Sequence, residues 1–141
     1  MCCAGLGRVY FARLVAFTLI RLIIVTEIKV FDPTPLLELA EDTSNATMKA
    51  FVQGYLNDLP GKVERLMQAV SAGDAAQTTL VAHDLKGSSA GIGAQQLARM
   101  AMQMETSARS GQLMAVNVVM KRLPPVLELT TSAVSEWLAG V

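Results

Sequence analysis

Between Leu113 and Trp137, core-compatible residues fall at Leu113, Val116, Met120, Leu123, Leu127, Thr130, Val134 and Trp137, an unbroken alternation of threes and fours. That spacing keeps one face of an α-helix pointing in a single direction, whereas a strand alternates faces every two residues. A second stripe, Met48, Phe51, Tyr55, Leu59, Val63, Leu66 and Val70, is also spaced by threes and fours. Apolar faces of this length are buried against other helices, so the chain is expected to be all-α. Composition agrees. Aromatics make up 5% of the 141 residues, and Ala, Leu, Met and Gln are plentiful, which favours helix over strand. The length suits one domain with its own core.

Breaks between the stripes set the helix count. Thr34-Pro35 reads as an N-cap followed by proline at the first helical position, opening a short helix to about Asp42. The next runs from about Asn45 to Ser71, with a kink expected at Pro60-Gly61. Gly73 stops it. Asp74 then caps a third helix, with Gln77 completing a capping box, and Gly91-Ile92-Gly93 ends that helix after about Ala90. A Met-rich fourth helix covers about Ala94 to Ser110, with Met100 and Met104 on its core side. The last covers about Gln112 to Leu138 and should bend or restart at Pro124-Pro125. Four long amphipathic helices with short connections predict an antiparallel up-down-up-down four-helix bundle with a short extra N-terminal helix.

Residues 1–30 stand apart from the globular pattern of residues 31–141. Val9–Val25 is an apolar run of 17 residues interrupted by Arg13 and Arg21. As a helix it would span about 25 Å, short of a hydrocarbon core of about 30 Å. A central Arg costs roughly 2.5–3.5 kcal/mol on insertion. No A-x-A-like cleavage site follows, so a secretory signal is also a poor fit. Three readings stay open: a weak membrane anchor, a segment packing on the bundle, and translated sequence ahead of a start at Val25. Residues 1–25 carry three arginines and no acid, while the remainder is net acidic.

Several function classes are excluded early. Lys plus Arg and Asp plus Glu number 12 each, so the chain lacks the positive footprint of a nucleic-acid binder. Cys2 and Cys3 are the only cysteines and His83 the only histidine, so no zinc knuckle or histidine-rich metal site can be assembled. No phosphate loop of the G-x-x-x-x-G-K-[ST] kind occurs. A Ser-His-Asp triad is formally open, but no strand-turn-helix context surrounds any G-x-S-x-G. If the chain does chemistry, His83 is its centre.

Helical geometry fixes where His83 points. At 100° per residue, Thr78, Val81, Leu85, Ser88 and Ile92 form the core stripe opposite it. His83 therefore faces outward, among Ala76, Thr79, Lys86, Gly87 and Ala90. Exposed faces normally carry Glu, Lys and Gln, and a mid-helix Gly costs about 1 kcal/mol against Ala. A face kept this small beside the only histidine gives access to something bulky. Ser88, on the buried side, is expected to bond back to a carbonyl one turn earlier and is no nucleophile. Taken alone, a histidine and a lysine at i+3 are more often ordinary solvated residues.

The surrounding string changes that weighting. His83-Asp84-Leu85-Lys86-Gly87-Ser88-Ser89-Ala90-Gly91-Ile92-Gly93 closely resembles the H-x-[LI]-K-G-[SAG]-[SA]-x-x-x-G signature of histidine-containing phosphotransfer (HPt) domains. The resemblance spans roughly Phe31 to Leu138. It implies that His83 is a phosphoryl acceptor, that Lys86 stabilises the phosphoryl oxygens, that Gly87 leaves room for a partner and that Gly93 makes the turn between the central helices. Family members often carry Glu or Gln 22 residues after the histidine, bonded to its other ring nitrogen; that position here is Glu105. If the pair meets, Met102 borders the site as a partner contact, though a core-filling Met is an equal reading.

The implied role is a carrier rather than a kinase. Its partners would be response-regulator receiver domains and a histidine kinase, and the receiver would bring the Mg²⁺, so the chain needs no cofactor of its own. The expected form is a cytoplasmic monomer. The alternative is a receiver-docking bundle without phosphotransfer, membrane-tethered if residues 1–25 act as an anchor.

Overall fold

The computed structural model describes residues 28–141; the expectations for the apolar run before Val25 lie outside them. Six helices and no strand occur among the described residues: α1 (Thr34–Asp42), α2 (Asn45–Ser71), α3 (Ala75–Ile92), α4 (Gln95–Arg109), α5 (Leu113–Lys121) and α6 (Leu123–Gly140). The bundle consists of α2, α3, α4 and a fourth rod made of α5 and α6, with α1 against α2 and α3. Leu36, Val52, Leu66, Leu85, Ile92, Leu97, Met104, Val116 and Val134 are wholly buried between the rods. No helix among the described residues is long and apolar enough to cross a membrane.

The helix ends show which local signals prevailed. Thr34 is not the cap of α1; Pro33 holds that position and Thr34 is the first helical residue. Asp32 supplies the acceptor instead, taking bonds from the Thr34 backbone N–H at 3.0 Å and hydroxyl at 2.6 Å. Ser44 caps α2 by accepting from the Thr47 N–H. Asp74 caps α3 by accepting from the Gln77 N–H at 2.9 Å. The return half of the capping box is not made, because the Asp74 N–H already donates to the Ala69 carbonyl.

Two proline sites behave differently. Pro60 does not break α2, which runs continuously past it. It lies on an exposed side, where the carbonyl it leaves without a partner can face water. The Pro124-Pro125 pair instead falls in the first turn of α6, after a restart at Arg122 that divides the expected last helix in two.

Two core assignments shift by one residue. Val52, not Phe51, occupies the core; Phe51 sits at the edge of the α2 stripe and is 48% exposed. On α3 the buried set is Thr78, Val81, Ala82, Leu85, Ser89 and Ile92. Ser88 is only half-buried, although its hydroxyl does donate back to the Asp84 carbonyl as expected. The fully buried serine is Ser89, whose Oγ shares a 3.1 Å hydrogen bond with the Tyr55 hydroxyl. Burial pushes the Tyr55 phenol upward, opposed by that bond.

Helix α3 continues through Gly91 and Ile92 and stops at Gly93, whose φ of 90° is left-handed. A Cβ on Gly93 would also run into the Asp32 carbonyl oxygen. The Asp32 N–H donates to the Gly93 carbonyl at 2.8 Å, so this turn anchors the strand of chain leading into α1.

Candidate functional site

His83 projects outward from the middle of α3, opposite the core stripe, with its side chain 65% exposed. One turn on, Lys86 shares this side of the helix. Across the tightly packed α3–α4 pair, Glu105 occupies a position that the Leu97, Ala101, Met104 and Ala108 stripe makes nearly core. Its side chain is 6% exposed, so it is not the solvated glutamate that its residue type alone suggests.

These three residues meet. His83 Nδ1 lies 2.9 Å from Glu105 Oε1, and Lys86 Nζ donates to Oε2 at 2.6 Å. Arg109, one turn along α4, donates to Oε1 at 2.7 Å. The Lys86 bond first, then the His83 bond, pull the Glu105 carboxyl down to about 2, against the opposing effect of burial. Glu105 is thus ionised near neutral pH and can only accept. A neutral His83 must then carry its proton on Nδ1, leaving the Nε2 lone pair on the solvent side. An imidazole fixed in that tautomer is a nucleophile with a defined direction.

The surroundings are open, with one exception. Gly87 and Ala90 are exposed, and a Cβ built on Gly87 meets nothing within 4 Å. Ala76 is exposed and Thr79 half-buried, its hydroxyl turned back onto the Ala75 carbonyl. Leu80, which the sequence reading passed over, is 65% exposed one turn before His83. Met102 is on the surface, 47% exposed, which decides against a core-filling role. Met104 is buried and Met100 packs partly against the core, as expected.

Beside His83 runs a groove of about 590 Å³ between α2 and α3. Phe51, Gly54, Tyr55, Gly87 and Gly91 line it, with Asp58, Lys62 and Asp84 among its charged members. Lys62 Nζ bridges the two helices to Asp84 at 3.0 Å. This groove is not legible in the sequence because half of it comes from α2, whereas the i,i+4 spacing of Arg109 from Glu105 is. Among the described residues no group of three or more His, Cys, Asp or Glu is placed to hold a metal ion.

The Hpt domain family matches residues 50–137, more than half of the sequence, and the chain belongs to that family. It is the family of histidine phosphotransfer modules in two-component relays. Histidine-containing phosphotransfer protein B (HptB) from Pseudomonas aeruginosa PAO1 has the same fold, with a TM-score of 0.74 and 23% identity over 82% of this chain and 99% of that one. So does the HPT domain of the Hpt sensor hybrid histidine kinase from Shewanella, with a TM-score of 0.67 and 22% identity over 79% and 96%. No curated protein matches the chain.

Proposed function

We propose that this chain is a phosphorelay intermediate: His83 Nε2 takes a phosphoryl group from the phospho-aspartate of a receiver domain, or from a kinase, and yields it to a response-regulator aspartate. The observation that carries this reading is the Nδ1–Glu105 bond at 2.9 Å, which turns Nε2 outward on a face of small residues. In the accepting step a bond forms between Nε2 and phosphorus. The phosphorus–oxygen bond of the aspartyl phosphate breaks, and its electron pair leaves with the aspartate carboxylate. The Nδ1 proton stays in place, so the phosphorylated ring is cationic. Glu105 stabilises that charge as it develops. Lys86 meets the phosphoryl oxygens, and Gly87, Ala90, Ala76, Thr79 and Met102 form the surface that the partner approaches.

Residues 31–141 are the phosphotransfer module in this reading, and residues 1–30 are outside it. The chain needs no cofactor of its own, because Mg²⁺ arrives with the receiver domain. It acts in the cytoplasm as a monomer, where receiver domains can reach it.

The test is incubation with a receiver domain carrying labelled phosphate. Label should move to the wild-type chain and not to His83→Gln. Binding without transfer to either would instead support a docking bundle.

A further inference from the structure

Glu105 serves two cations, one on each carboxylate oxygen. Lys86, on the same helix as His83, holds Oε2, whereas Arg109, on Glu105's own helix, holds Oε1 alongside His83 Nδ1. This creates a conflict for Lys86. A phosphoryl group on Nε2, which points away from Glu105, would compete with Oε2 for the Lys86 ammonium. Departure of Lys86 would strip a cation from a carboxylate that is 6% exposed, and a nearly buried carboxylate tolerates that poorly.

Arg109 resolves the conflict. Its side chain is 68% exposed at the outer end of the cluster, yet one guanidinium nitrogen is 2.7 Å from Oε1. We propose that Arg109 is a positioning residue that holds Glu105 Oε1 in place and aimed at His83 Nδ1 while Lys86 swings to the phosphoryl oxygens. This rests on the reading of His83 and Lys86 given above. As the Nε2–phosphorus bond forms and the aspartyl phosphorus–oxygen bond breaks, Lys86 exchanges Oε2 for the phosphoryl oxygens. Arg109 stays on Oε1, and the Nδ1 proton remains shared with that oxygen. Arg109 touches neither the phosphoryl group nor the attacking nitrogen.

It follows that Lys86 is free to turn to the phosphoryl oxygens only when Arg109 is present. Without Arg109, Lys86 is the last cation on the nearly buried carboxylate, so its removal should cost more than in the wild-type background. Such dependence is read by a double-mutant cycle, because two independent residues would give additive effects. The rate of phosphoryl transfer from a labelled receiver is measured for wild type, Lys86→Ala, Arg109→Ala, the double variant and Arg109→Lys. Lys86→Ala should slow transfer about tenfold in the wild-type background and more than about thirtyfold when Arg109 is already Ala, the non-additivity expected of residues in one ion-pair network. Arg109→Lys, which keeps a cation within reach of Oε1, should restore most of the wild-type rate; a merely structural surface residue would show neither behaviour.

An equal or smaller loss from Lys86→Ala in the Arg109→Ala background overturns the proposal, as does an Arg109→Lys variant no better than Arg109→Ala. Either result leaves His83 as the acceptor. Failure of wild type to take label, or label on His83→Gln, would instead sink the phosphorelay reading.

Discussion

Lys86 Nζ sits 2.6 Å from Glu105 Oε2, so the lysine proposed to meet a phosphoryl group is already engaged with a carboxylate. The site is thereby charge-compensated before a partner arrives. Lys86→Ala should therefore slow transfer or shorten the life of the phosphohistidine without unfolding the bundle. Far-UV circular dichroism alongside the transfer assay checks this. A large loss of helicity would mean that the lysine acts through stability rather than through the phosphoryl group.

The Glu105 carboxyl, lowered to about 2 from an ordinary 4.5, ties the site to pH. A group whose folded value is depressed stabilises the fold fully above its unfolded value and loses that contribution as pH falls toward its folded value. The stability difference between wild type and Glu105→Gln should therefore be constant above about pH 4.5 and shrink between there and about pH 2. Urea denaturation of the two proteins at stepped pH measures it. A difference that grew as pH fell would contradict the assigned cause.

Gly87 has open space where a side chain would go. Gly87→Gln should thus stabilise α3 by up to about 1 kcal/mol through helix propensity while obstructing a partner's approach to His83. Thermal melts should hold or rise and transfer should fall at least tenfold, the scale of losing a close-packed contact at an interface. Unchanged transfer in a well-folded Gln variant would refute the access argument.

Gly93 behaves in the opposite way. Its positive φ and the Asp32 carbonyl both exclude a Cβ, so Gly93→Ala should cost on the order of 1–3 kcal/mol and loosen the segment leading into α1. A melting temperature equal to wild type would show that the turn relaxes more easily than its geometry suggests.

The sequence announces this fold where one helix face decides the outcome. The Leu113–Trp137 stripe and the outward direction of His83 follow from a 100° step alone. What periodicity could not resolve were residues at the edge of a stripe. Phe51 and Val52, or Ser88 and Ser89, differ by one step, and only the neighbouring helix decides which is buried. Capping by Asp32 was hidden because Thr34 is an equally good cap by type. Gly93's second constraint came from Asp32, sixty-one residues earlier in the chain. Of the site, His83, Lys86 and Gly87 lie within five residues on one helix and share a readable motif. Glu105 was reachable only through the family spacing, and its burial depends on how α4 packs on α3, whereas its bond to Arg109 is an i,i+4 pair within α4.

In the proposed relay the phosphoryl group is carried on His83 Nε2. The most direct test is ¹⁵N and ³¹P NMR of the chain after mixing with a phosphorylated receiver domain, held at alkaline pH where phosphohistidine survives. Phosphorus coupled to Nε2 of His83, with the proton retained on Nδ1, is the result predicted. Phosphorus on Nδ1 or on any other residue, or a chain that binds the receiver and stays unphosphorylated, would contradict it.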